Sequence, residues 1–145
     1  MGEEVSIRSG QPEDAVSILE LWQLSGALPS ETDNSESIAC LLDSDKDALI
    51  VAKIGGRIVA TVIAAWDSWR GNLYRLAVAP DGRRKGIATQ LVTEAERRLF
   101  ERGASRLSIL VPKKGSAAEF WSSMGYSEDI RIARSAKTLM RLWFS

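Results

Sequence analysis

The stretch Leu76-Ala77-Val78-Ala79-Pro80-Asp81-Gly82-Arg83-Arg84-Lys85-Gly86-Ile87-Ala88-Thr89-Gln90-Leu91 runs from an apolar strand through a basic, glycine-bearing loop into a helix. This layout cradles a diphosphate. The N–H groups of a helix's first turn have no partner within the helix, and the helix dipole favours an anion in front of them. Arg83, Arg84 and Lys85 add three positive charges at that point. Gly86 lets a phosphate approach the backbone, and Ala88 keeps the next turn small.

The spacing narrows the ligand. A dinucleotide site needs Gly-x-Gly-x-x-Gly with a later acidic residue, and a nucleotide triphosphatase needs Lys-Ser or Lys-Thr after its last loop glycine. The chain instead has Arg83-x-x-Gly86-x-Ala88, preceded by Leu-x-Val-x-Pro and followed by about four turns of helix. This resembles the acetyl-coenzyme A motif of the GNAT superfamily of N-acetyltransferases, Arg/Gln-x-x-Gly-x-Gly/Ala. A second stretch, Ala118-Glu119-Phe120-Trp121-Ser122-Ser123-Met124-Gly125-Tyr126, is similar to the family's late segment Ala-x-x-Phe-Tyr-x-x-x-Gly-Phe. Small bacterial stand-alone acetyltransferases share a loop like Trp66-Asp67-Ser68-Trp69-Arg70-Gly71.

Composition is consistent with that class and excludes others. The 145 residues, 45% hydrophobic, suit a single domain over 1–145 with a core from about 5 to 144. Nineteen acidic and nineteen basic residues cancel, which argues against a general nucleic-acid or anionic-membrane surface. One cysteine excludes an internal disulfide and suits a reducing cytoplasm. With no histidine, neither a zinc site nor a serine-histidine triad is expected. The longest apolar run, Val59 to Trp66, is far below the roughly 20 residues that span a bilayer. Met1-Gly2-Glu3-Glu4-Val5-Ser6 matches the loose myristoylation pattern, but Glu3 and Glu4 would repel anionic lipid, so an ordinary start is expected.

Hydrophobic periodicity predicts a strand at Val5 to Arg8 and a helix from Pro12 carrying Val16, Leu19, Trp22 and Leu24. A second helix is capped between Thr32 and Ser37, with Ile38, Leu41 and Leu42 inward and Cys40 a small buried residue. Strands follow at Ala48 to Ile54 and Arg57 to Trp66, joined by Gly55-Gly56, and a third at Asn72 to Ala79. The helix from Gly86 places Ile87, Leu91, Ala95 and Leu99 on one face and stops at Gly103. A strand at Arg106 to Val111, a helix at Ser116 to Met124 and a last strand at Lys137 to Phe144 complete the chain, with Tyr126 to Ile130 pairing beside that strand. The order β-α-α-β-β-β-α-β-α-β-β is an α+β fold around a mixed, mostly antiparallel sheet, and it matches the family from Val5 to about Phe144.

The resemblance implies transfer of an acetyl group from acetyl-coenzyme A to a primary amine, by direct attack in a ternary complex. It implies a strand splayed at a bulge, with pantetheine contacts at Leu76, Ala77 and Val78 and pyrophosphate contacts at Arg83, Arg84, Lys85, Gly86, Ile87, Ala88 and Thr89. Without the resemblance, the three strand residues are ordinary core and the basic residues a solvated charge run. Where the family often has a tyrosine acid beside the cofactor, this chain has Trp121, whose indole N–H is not a practical acid. Ser116 stands in part for the family's asparagine, after Lys113-Lys114-Gly115.

No strong general base is visible, since the strand position that holds a glutamate in some relatives lies in Ser108-Ile109-Leu110. Tyr74, through water, and Asp67, as an anchor for a cationic acceptor, are the remaining candidates; packing and turn formation are their ordinary alternatives. A site without a base favours weakly basic amines. The expected partner is a small-molecule or peptide amine, with no nucleic acid and no membrane, and a homodimer is left open. A coenzyme A-binding sensor that has lost turnover is the alternative from another class.

Overall fold

The computed structural model describes residues 4–113 and 115–143. Gly2 and Glu3 of the acylation pattern, Lys114, and Phe144 of the last predicted strand lie outside them. The chain divides into two compact units, residues 1–110 and 111–145.

The first unit is built on a five-stranded sheet in sequential order: β1 (Val5–Ser9), β2 (Leu49–Ile54), β3 (Arg57–Trp66), β4 (Gly71–Val78) and β5 (Leu107–Ile109). The first four strands pair antiparallel and β5 pairs parallel to β4. A hairpin joins β2 to β3 because Gly55 and Gly56 accept φ of 58° and 80°. Three helices complete the unit: α1 (Ala15–Leu24), α2 (Ser35–Ser44) and α3 (Ile87–Arg102). Central β3 packs against both α1 and α3. Leu49, Ile50, Val51 and Ala52 are all buried, which is why this strand reads as a continuous apolar run.

Each helix follows local rules. The Asn34 side chain accepts from the Ser37 N–H at 2.8 Å and caps α2. Gly86 (φ 74°) and Gly103 (φ 113°) bracket α3, whose Ile87, Leu91, Val92, Ala95 and Leu99 are buried. A 3-10 turn at Pro12–Asp14 precedes α1, which buries Ala15, Ile18, Leu21 and Trp22 and leaves Val16 and Leu24 exposed. Cys40 is exposed, a correction to its expected burial. It lies two positions from both Ile38 and Leu42, and two residues turn a helix about 200°, placing it opposite the buried pair.

The second unit contains helix α4 (Ala117–Ser123), ended by Gly125 at φ 93°. Trp121 is buried, with edge-on contacts to Phe120 (ring centroids 5.2 Å) and Tyr126 (5.1 Å). The two strands predicted at Tyr126 to Ile130 and Lys137 to Phe144 are corrected: among the described residues no strand follows α4, and Arg141–Trp143 forms a 3-10 turn. Ile130, Ile132, Leu139 and Leu142 are more than two-thirds exposed or nearly so, at 88, 72, 67 and 78%. β-propensity needs a ladder partner to become a strand, and no such ladder forms for this segment among the described residues.

Candidate active site

Strand β4 begins as an ordinary member of the sheet and then leaves it on one side. Gly71, Asn72 and Leu73 pair with Leu107, Ser108 and Ile109 of β5, and the ladder ends there. On the other side, Tyr74 pairs with Ile63 and Ala77 with Thr61, so Arg75 and Leu76 together oppose Val62. This is a β-bulge, and its first residue, Arg75, has φ 53°. A side chain in that conformation costs about 1–2 kcal/mol, and glycine is the usual occupant. Leu76 to Val78 therefore run beyond the last β5 pairing, with Ala77 buried and Leu76 and Val78 half-buried.

The loop after β4 turns that open strand toward α3. Gly82 donates to Ala79 O at 2.8 Å, closing a 3-10 turn at Pro80–Gly82, and Asp81 is paired with Arg57. Arg84 (φ 64°) and Gly86 (φ 74°) both take left-handed backbone. A Cβ added to Gly86 meets nothing within 4 Å, so the space in front of the first turn of α3 is clear. Ile87, Ala88 and Thr89 carry first-turn N–H groups of a 16-residue helix. Arg84 and Lys85 are exposed, and among the described residues neither has a hydrogen bond or ion pair. Arg83 is committed elsewhere, donating to Ser25 O at 2.8 Å and Val78 O at 3.3 Å. It thereby braces the end of α1 against the end of β4. Open backbone, clear space and unpaired cations together fit a pantetheine arm and a diphosphate.

The loop between β3 and β4 holds Asp67 on the surface. Its carboxylate accepts from the N–H of Arg70 (2.6 Å) and of Trp69 (2.8 Å). The Arg70 bond first, then the Trp69 bond, hold its pKa below the ordinary carboxylate range. Asp67 is thus an ionised turn residue and a poor base. Trp69 is 75% exposed beneath the Arg70 guanidinium, 4.5 Å from the ring centre. Tyr74 lies on β4 immediately before the bulge and is 42% exposed. In the second unit, Ser116 is exposed at the N-cap position of α4 but makes no side-chain capping bond. Trp121 is on the same helix.

Sequence reasoning missed Arg75 as the bulge residue. An arginine between Tyr74 and Leu76 reads as an outward strand position, whereas its guanidinium is bound bidentately by Asp33 at 2.7 and 3.0 Å. The signal available was its charge in an otherwise apolar and aromatic run.

Residues 16–126 match the family model described as Acetyltransferase (GNAT) family. An acetyltransferase of Pectobacterium atrosepticum is 32% identical over 113 residues, covering 78% of this chain and 80% of its own. Among solved structures, a PaiA N-acetyltransferase from Thermoplasma acidophilum in complex with coenzyme A superimposes with a TM-score of 0.73 at 18% identity, covering 84% of this chain and 88% of that one. The aminoglycoside N-acetyltransferase AAC(6')-Iy, also in complex with coenzyme A, gives 0.74 at 17% identity over 96 and 98% of the two chains. With the family model covering most of its length and a relative above 30% identity, the chain belongs to the GNAT family and is an N-acetyltransferase that uses acetyl-coenzyme A.

Proposed function

We propose that this enzyme acetylates a primary amine directly, with acetyl-coenzyme A and acceptor bound together beside β4. The observation that carries the reading is the continuity of the open strand at Leu76 to Val78 with the clear space before α3. Beyond Leu73 the strand has no β5 partner among the described residues, so that edge, apart from the Val78 carbonyl that accepts from Arg83, is offered to pantetheine, and one of its N–H groups can polarise the thioester carbonyl. Arg84, Lys85, Gly86 and the N–H groups of Ile87, Ala88 and Thr89 receive the diphosphate. The Arg83 side chain acts as a brace, because contact with phosphate requires it to release Ser25 and Val78.

In the reaction, the ammonium first gives one proton to water, the freed lone pair attacks the thioester carbonyl carbon, and the C–S bond breaks as the C–N bond forms; the departing thiolate receives the second amine proton through water and leaves as coenzyme A thiol. The protein supplies mainly proximity. Asp67 is too acidic to take the first proton, and Tyr74 serves only through water. This favours acceptors that are already partly neutral. An α-amine of pKa about 8 is neutral in about one molecule in ten at pH 7, a lysine-like amine of about 10.4 in one per few thousand.

Release of coenzyme A thiol, measured with a short alanine peptide and with Nα-blocked lysine, tests the proposal. A higher kcat/KM for the α-amine is expected. Preference for lysine would overturn the acceptor class. Binding of acetyl-coenzyme A without thiol release from any amine would favour a sensor role, in keeping with Trp121 at the position of the family's tyrosine.

A further inference from the structure

The strained residue of the bulge is held by three side chains. Asp33 grips the Arg75 guanidinium at Nε (3.0 Å) and Nη2 (2.7 Å), and both side chains are about one-fifth exposed, at 18 and 20%. The guanidinium carbon lies 5.4 Å from the centre of the Trp22 ring. The Trp22 indole N–H donates to Thr61 Oγ1 at 2.9 Å, and the Thr61 hydroxyl donates to Arg75 O at 3.0 Å. Thr61 is fully buried in β3, directly across from Ala77. A residue at φ 53° persists when its surroundings fix it from several sides, and this network fixes both its peptide and its side chain.

The same contacts fasten a second element. Asp33 belongs to the segment between α1 and α2, so the Arg75 pair ties the far end of that segment to the bulge. Arg83 ties its near end, at Ser25, to the last carbonyl of β4. Two arginines, Arg75 just before the open stretch 76–78 and Arg83 bonded to the carbonyl at its end, hold residues 25 and 33 along the edge that the proposed reaction uses.

We infer that Arg75 and Asp33 are a positioning pair for acetyl transfer: they lock the peptide orientation at the bulge and fix residues 25–33 beside the reacting thioester. Neither residue touches the reacting atoms in this account. Their effect falls on alignment, which belongs to kcat, while the diphosphate loop continues to supply cofactor affinity. The inference rests on the functional reading above and adds the element that aligns its site.

Three variants of the full chain separate alignment from simple stability. Arg75→Gly removes the guanidinium while relieving backbone strain, Asp33→Asn keeps shape but removes charge, and Arg75→Lys keeps charge without the bidentate fork. With acetyl-coenzyme A and the alanine peptide, Arg75→Gly and Asp33→Asn are expected to lose about tenfold or more in kcat, while the dissociation constant for coenzyme A changes less than about twofold. Arg75→Lys should recover only part of kcat. Amide exchange of residues 76–78 and 26–33 should rise together in Arg75→Gly and Asp33→Asn.

Wild-type kcat in both of those variants would overturn the inference and leave the acetyltransferase reading intact, as would a lowered melting temperature with kcat unchanged. If the wild-type chain binds coenzyme A but acetylates neither probe, the acceptor reading fails, and amide exchange alone decides the positioning pair. Joint loosening of the two segments supports it, and unchanged exchange refutes it.

Discussion

Gly86 and the three cations before it show how residue identity leads to the proposed diphosphate site. Gly86 was legible in sequence because a glycine between a basic run and a helix has few ordinary explanations, and its left-handed backbone facing clear space supports that expectation. The cations were legible only as a group. Their division into one brace and two unpaired charges depends on where Ser25 and Val78 place carbonyls, which no local pattern encodes. The division predicts different phenotypes. Arg84→Ala and Lys85→Ala should each weaken acetyl-coenzyme A binding by roughly tenfold at low salt, less as ionic strength rises, with little change in melting temperature. Arg83→Ala should lower the melting temperature instead and leave the salt dependence of binding as in wild type. Titration calorimetry at two salt concentrations and a thermal melt distinguish the two classes; identical behaviour of all three variants would remove the distinction. Cys40 departs from its expected burial for a simpler reason: the buried Ile38 and Leu42 lie on the opposite side of the helix.

At the scale of elements, periodicity carried most of the fold. The buried face of α3 is the predicted one with Val92 added, and β3 has the predicted ends. What periodicity could not place was the residue that interrupts β4, since a bulge is defined by its partner strand. Nor could it place the expected strands after Gly125, where β-forming residues remain without a sheet among the described residues. Helix α3 also carries a pH-dependent contribution. Arg97 and Arg98 hydrogen-bond Glu94 at 2.7–2.9 Å and, led by Arg97 and opposed by burial, lower its pKa from 4.5 to about 2. A carboxylate depressed in the folded state stabilises fully above its unfolded pKa, and the contribution disappears as pH falls from about 4.5 through about 2. Because Arg97 is half exposed, about 1 kcal/mol is the expected scale. The urea midpoint of wild type should therefore exceed that of Glu94→Gln at neutral pH and converge on it toward pH 2. A constant difference across that window would contradict the assignment.

For the whole molecule, charge balance and composition restricted the function classes, and two separated motifs indicated the family before any contact was known. Acceptor chemistry was not legible because no motif position identifies a strong base or acid, and water can serve in place of either. If the clear space before the first turn of α3 receives the diphosphate of acetyl-coenzyme A, as proposed, filling it must cost affinity. Titration calorimetry of wild type and Gly86→Val with acetyl-coenzyme A tests it most directly, with melting temperatures measured beside it. Strain at φ 74° should cost the variant about 1–2 kcal/mol of stability and leave it folded. Wild type is expected to bind one acetyl-coenzyme A per chain, and the folded variant to bind at least about tenfold more weakly, a loss of about 1.4 kcal/mol. Equal affinities, or no binding by wild type at millimolar ligand, would contradict the account.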